Sequence, residues 1–303
     1  MEVAYVGVKA THLQLLLNIN QPFVTAGLYG TTKPFPTLPL ASPVIPAQCQ
    51  APNPACPLNT INQVNSVGNS NYNALWITAT KHFSRGFEFL TSYTYSKSLD
   101  YNSLSTGETL IIQNAYNPRG DYGPSEFDVR HRFVLSGFYE LPFTGNRLVS
   151  GWQFGIVTQA QSGNPLNPTL AIGPGPGISL TVRPDATGPV STTGDPAQWF
   201  ANKAVFVSPC VAGACHPGKL GRDAIIGPDF LNTDFSVTKN TKITEKLNLQ
   251  FRSEMFDVFN HPNFGNPVLT TTSGSFGKIQ STRFPTGDFG SSRQIQFALK
   301  LLF

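Results

Sequence analysis

The last eleven residues set the tightest limit on the fold. From Arg293 onward, Ile295, Phe297, Leu299, Leu301 and Phe303 fall on one parity, and Gln294, Gln296, Ala298, Lys300 and Leu302 on the other. A strand places alternate side chains on opposite faces, so this stretch has one apolar and one mainly polar face. An apolar face toward hydrocarbon and a polar face toward an aqueous lumen is the pattern of a membrane-spanning β-strand. Composition points the same way. Only 13% of the residues are charged, about half the usual share of a soluble domain. Yet no run of 18 apolar residues occurs, so helical spans are not expected. A membrane protein without them must be a closed barrel, because hydrocarbon leaves no backbone group unpaired without cost.

Seven earlier segments alternate in the same way, at 3–9, 73–83, 87–96, 127–141, 152–161, 232–239 and 246–260. In the last, Leu247, Leu249, Phe251 and Met255 oppose Asn248, Gln250, Arg252 and Glu254. The phase slips after Met255, where a bulge is expected. Leu75, Ile77, Ala79 and Phe83 are expected to share one face of the second segment. The connections between the eight strands then run long and short by turns. Short ones fall at 84–86, 142–151 and 240–245, long ones at 10–72, 97–126, 162–231 and 261–292. Outer-membrane barrels have short periplasmic turns and long extracellular loops. The expected fold is therefore all-β: an antiparallel transmembrane barrel portion of about eight strands over residues 1–303, in a bacterial outer membrane. A soluble β-sandwich is the competing architecture.

Several phrases, in order, resemble TonB-dependent outer-membrane receptors, in particular the Oar-like group with a carboxypeptidase-regulatory-like domain. They are Ala4-Tyr5-Val6-Gly7 with Thr11-His12-Leu13, Asn71-Tyr72-Asn73-Ala74-Leu75, and Phe127-Asp128-Val129-Arg130-His131-Arg132-Phe133. Gly151-Trp152-Gln153, the run from Phe251 to Phe264 and the closing strand complete the set. The resemblance implies uptake of a scarce solute, of glycan or siderophore class. It also implies partners: outer-membrane lipid, the barrel-assembly machinery, and an N-terminal barrel portion and plug through which TonB acts. Eight strands would then be the C-terminal part of a larger barrel. The absence of a secretory leader at Met1 fits that expectation. The assembly machinery would read Phe297, Leu299, Leu301 and Phe303. A structural or adhesive barrel without transport is the alternative.

Candidate site residues are few. Cys49 with Cys56 and Cys210 with Cys215 form two local pairs in expected extracellular loops. They read as disulfides in an oxidising compartment, with free thiols or a metal site beside His216 as alternatives. Asp128, Arg130, Arg132, Glu140, Arg252 and Glu254 are expected to face the lumen. There they form an ion-pair network or line a ligand path. His131 falls on the lipid side near an interface. The run Ile172-Gly173-Pro174-Gly175-Pro176-Gly177 reads as a loop, since no Lys-Ser/Thr follows to make it a phosphate cradle. No nucleophile, metal-protease or nucleotide-binding motif is present, so no enzyme and no cofactor is expected. The net charge of +4 has no basic block to suit nucleic acid.

Overall fold

The computed structural model describes residues 1–36, 58, 60–103, 112–170, 182–283 and 292–303. One antiparallel sheet dominates. Its main strands are β1 (Glu2–Asn18), β2 (Asn62–Ser84), β3 (Phe87–Asp100), β4 (His131–Glu140), β5 (Trp152–Gln161), β6 (Phe230–Lys242), β7 (Asn248–Phe256) and β8 (Gln294–Leu302). They are hydrogen-bonded in chain order, each to the next. β1 and β8 lie at the two edges, and the sheet is open. All four long connections leave from one end of this meander and all three short ones from the other. No helix is long and apolar enough to cross a membrane.

Register makes the alternating faces continuous. Tyr5, Leu75, Tyr95 and His131 stand in one cross-strand row. Tyr139, Phe154, Val237, Ser253 and Phe297 stand in another. Both rows belong to the same face, which is mainly apolar and is covered by no second sheet among the described residues. Phe297 is 71% exposed and Leu299 69%. Phe251 and Phe297 stack side by side on it, 6.2 Å apart. A sandwich would cover this surface with a second sheet, and none of the described residues does so. The opposite face carries Ser92, Thr94, Arg132, Ser136, Gln153, Gln159, Asn232, Ser236, Arg252, Glu254 and Gln296.

The apolar face is bounded by aromatic groups. At the long-connection end, Tyr93 and Tyr95 flank His131, and the Tyr93 hydroxyl lies 2.7 Å from His131 Nδ1. At the short-turn end, Phe87 meets Tyr139 edge-on and Lys239 lies over the Trp152 ring. From His131 to Tyr139 the strand rises about 27 Å, or about 20 Å along the normal at a barrel's usual tilt. That suits an outer-membrane apolar band of roughly 25 Å.

Several details depart from the sequence expectations. β1 and β2 are much longer than expected and run on as a ribbon past the aromatic boundary, so the first long connection begins only at Ile19. Pairing slips twice in this ribbon, once at His12, which has φ +60°, and once between Leu13 and Leu15. A third slip falls between Lys81 and Ser84. It carries Phe83 off the face of Leu75 and Ile77, and its ring stacks on Phe138 of the polar face. Bulges insert a residue and invert parity beyond them, which simple alternation does not foresee. The bulge expected after Met255 is absent. Pairing with β8 stays regular to Phe256, and the phase change there is the end of the strand, at Asp257 with φ +47°. Residues 127–130 precede β4 and are not part of it. The turn between β2 and β3 is Arg85-Gly86, with φ +55° and +80°, as a two-residue hairpin requires. A Cβ on Gly86 would lie 2.6 Å from the Glu140 carbonyl oxygen.

Candidate functional site

The buried core lies in the long connections, above the sheet. Leu166, Trp199, Phe200, Leu220 and Ile225 of the β5–β6 connection enclose Phe276 of the β7–β8 connection. Tyr29 of the β1–β2 connection packs with Val182 and Cys215 of the β5–β6 connection. Leu15 and Leu17, at the top of β1, pack with Tyr101, Ile112 and Ala115 of the β3–β4 connection. The four connections therefore form one folded layer.

Buried polar groups lock this layer together. Gln113 is their junction. Its Oε1 accepts from the backbone N–H groups of Arg183 (2.8 Å) and Gly218 (3.1 Å), and its Nε2 donates to Gly218 O. Its carbonyl accepts from the Tyr29 hydroxyl at 2.9 Å and from Gln21 Nε2. Arg183 is 3% exposed. It donates to Asp121 at 2.5 Å, to Leu220 O at 2.8 Å and to Gly120 O at 3.2 Å. Arg222 is equally enclosed and donates to Asp100, to the Asp121 and Gly123 carbonyls, and lies 3.0 Å from Asp223. A buried charge persists only with such partners. Burial pushes the Asp121 carboxyl above its usual range, against the pull of Arg183. Burial also pushes Asp223 up to about 6, opposed by Arg222 and aided by Glu126 and Asp100. The Tyr29 phenol is raised by burial and by the charge of Asp121.

Over this floor opens a cleft of about 490 Å³. Its walls are the Val24–Leu28 hairpin, Asn114 and Asn117, and the His216–Lys219 segment. A disulfide joins Cys210 to Cys215 just before that segment. His216 Nε2 lies 3.1 Å from Asp185 and its Nδ1 2.9 Å from Pro217 O. The Asn117 side chain and the Lys219 ammonium have no hydrogen-bond partner among the described residues. Phe23 and Tyr116, both exposed, lie with ring centroids 4.4 Å apart and planes tilted by 32°. Tyr116 sits between the two wall asparagines in the chain, and Phe23 next to Val24.

The residues singled out in the sequence lie elsewhere. Arg252 and Glu254 pair at 2.9 Å on the polar face of the sheet, and Gln296 donates to the same carboxylate. Arg130 lies 3.3 Å from Asp128, which accepts the Ser98 N–H at 2.7 Å. Asp128 and Arg132 border one hollow on that face with Tyr72 and Trp76. Glu140 is exposed at the short-turn end. Leu299 and Leu301 lie with Phe297 on the apolar edge strand, and Phe303 follows its last paired residue. Cys49, Cys56 and the Ile172–Gly177 run lie outside the described residues. Among the described residues no group of three His, Cys, Asp or Glu is placed to hold a metal.

A family model described as outer membrane beta barrel domain matches residues 1–296, and the chain belongs to that family. No similarity to a curated protein or to a solved structure was found. The protein is thus a bacterial outer-membrane β-barrel protein. The uncovered apolar face meets lipid, the short turns are periplasmic and the loop layer is extracellular.

Proposed function

We propose that this chain is the loop-bearing part of a TonB-dependent receptor that captures a solute outside the cell for uptake. The observation that carries this reading is the layer of four co-folded loops holding a cleft above the sheet. A barrel that only filled the membrane has no use for so large a buried loop core. The open sheet supports a larger assembly. The backbone groups along the outer edges of β1 and β8 need partners in hydrocarbon, and further barrel strands of the receptor supply them. A plug within that barrel would meet the polar face, where Arg132, Arg252 and Glu254 lie, and TonB would act through the plug. The barrel-assembly machinery would read β8. In this reading the protein works by binding and passage, not by catalysis, and takes no cofactor.

The test is uptake by cells carrying the complete gene, using radiolabelled oligosaccharides and ferric siderophores. Uptake of one class, abolished when TonB is deleted, is expected. Uptake that is indifferent to TonB overturns the reading. Surface attachment lost with the gene, without any uptake, would favour an adhesive barrel.

A further inference from the structure

We infer that the turn between β4 and β5 binds a phospholipid of the periplasmic leaflet, whose phosphate meets the Arg147 guanidinium and whose acyl chains meet Leu148 and Val149. The inference rests on the barrel and not on the receptor reading.

This turn leans over the lipid side of the sheet. Lys239 and Trp152 are cross-strand neighbours on that side. No second sheet covers it among the described residues, yet Lys239 is only 8% exposed. The turn is what covers it. The Lys239 ammonium donates to Arg147 O at 2.8 Å and to Ser150 O. Beside it, the Trp152 indole N–H donates to Leu148 O at 3.0 Å. Lipid-side side chains thus hold the turn's carbonyls, and Asn146 holds its amides. The Asn146 Oδ1 accepts from the N–H groups of Leu148 (3.0 Å) and Val149 (3.1 Å), and its carbonyl from the Ser150 N–H at 3.2 Å. A turn hanging in water needs no such pairing, because water supplies it. At the boundary of hydrocarbon the chain must supply it.

The side chains that remain suit an interfacial anchor. Leu148 is 80% exposed and Val149 44%, and apolar groups left so open to water are unfavourable. Toward lipid they continue the apolar surface of Tyr139 and Phe154. Arg147 is exposed, and its side chain has no partner among the described residues. Lys239 is already engaged by the turn, so Arg147 is the cation that the turn presents to lipid. Trp152 and Tyr139 mark the aromatic boundary here, which is the level of the headgroups. A long cationic side chain beside an apolar pair keeps its charge at that level. A guanidinium there takes a phosphate through two parallel N–H bonds.

The experiment uses the complete protein in vesicles of phosphatidylethanolamine and phosphatidylglycerol, with a fluorescent ring placed by Leu148→Trp. Subtracting the parent's emission isolates that ring. Phospholipids brominated on their acyl chains should quench it, and aqueous iodide should not. The reverse pattern overturns the inference. For the phosphate contact, phosphatidylglycerol is titrated into the protein in detergent and bound lipid is read by native mass spectrometry. Arg147→Gln should weaken the tightest binding about tenfold, as loss of a charged hydrogen bond does, and Arg147→Lys should restore part of it. Both variants should keep the parent's near-ultraviolet circular dichroism. Equal lipid binding by the parent and Arg147→Gln overturns the contact. Displacement of the lipid by inorganic phosphate would do the same, since it marks a bare anion site. None of these readouts involves TonB, so the receptor reading stands or falls separately.

Discussion

The Arg183 guanidinium lies 2.5 Å from the Asp121 carboxylate, and through it the loop after β5 is fastened to the loop after β3. Neither residue is accessible to water. Removing one member of a buried pair strands the other, at about 3–5 kcal/mol. Arg183→Met should therefore unlock the loop layer while leaving the sheet intact. Hydrogen exchange should quicken in residues 112–125 and 182–222, with β3 to β8 unchanged. Exchange that rises equally in loops and strands would show that the layer is not a separate unit.

Asp223 makes the loop layer pH-sensitive. Its folded pKa of about 6 lies above its unfolded value, so the fold disfavours the charged form. The cost is present at neutral pH and is relieved as pH falls through 6 toward 4. Asp121 is raised for the same reason and adds in the same direction. The loop layer should thus gain about 2–3 kcal/mol between pH 7 and pH 4. Asp223→Asn should remove most of that slope. Protease resistance of the loops measured across this range gives the answer, and a layer that loosens on mild acidification would contradict it.

The two faces of β8 should respond oppositely to charge. Phe297→Arg places a guanidinium in hydrocarbon, costing roughly 2–4 kcal/mol near the midplane. Gln296→Arg faces the polar side, beside Glu254, and should cost little. Urea unfolding in lipid vesicles separates the two. Equal tolerance of both would mean that the Phe297 side does not meet lipid.

Loss of the Cys210–Cys215 bond, by Cys210→Ser with Cys215→Ser, should cost about 2 kcal/mol, since the loop it closes is short. The effect should be local. The segment carrying His216 and Lys219 begins directly after Cys215, so ligand affinity should fall before global stability does. Unchanged binding in the double variant would separate the disulfide from the cleft.

The strands were legible because lipid and lumen impose opposite demands on adjacent residues. Trp152–Gln161 was readable to the residue. Alternation failed where geometry, not polarity, decides parity. Phe83 lies past a bulge, and nothing in its neighbours announces the extra residue. The full length of β1 and β2 was hidden because above the membrane their faces no longer meet oil and water in turn. The loop layer was least legible. Arg183, Arg222, Asp121 and Gln113 come together from distant parts of the chain, and none lies in a recognisable motif. One signal was available. Charges are scarce in these loops, and Arg183, Asp121 and Arg222 each sit beside Pro or Gly. Gln113 has no such mark.

The interlocked loops also divide the molecule into a part that can drift and a part that cannot. Gly218 lies so close to Arg183 that a Cβ would come within 1.8 Å of its carbonyl oxygen. Change there would shift the chassis that all four loops share. The side chains of Asn117 and Lys219 stand on the outer surface, and replacing them removes no hydrogen bond among the described residues. Such a layer can change its outer surface by substitution while its frame stays constant.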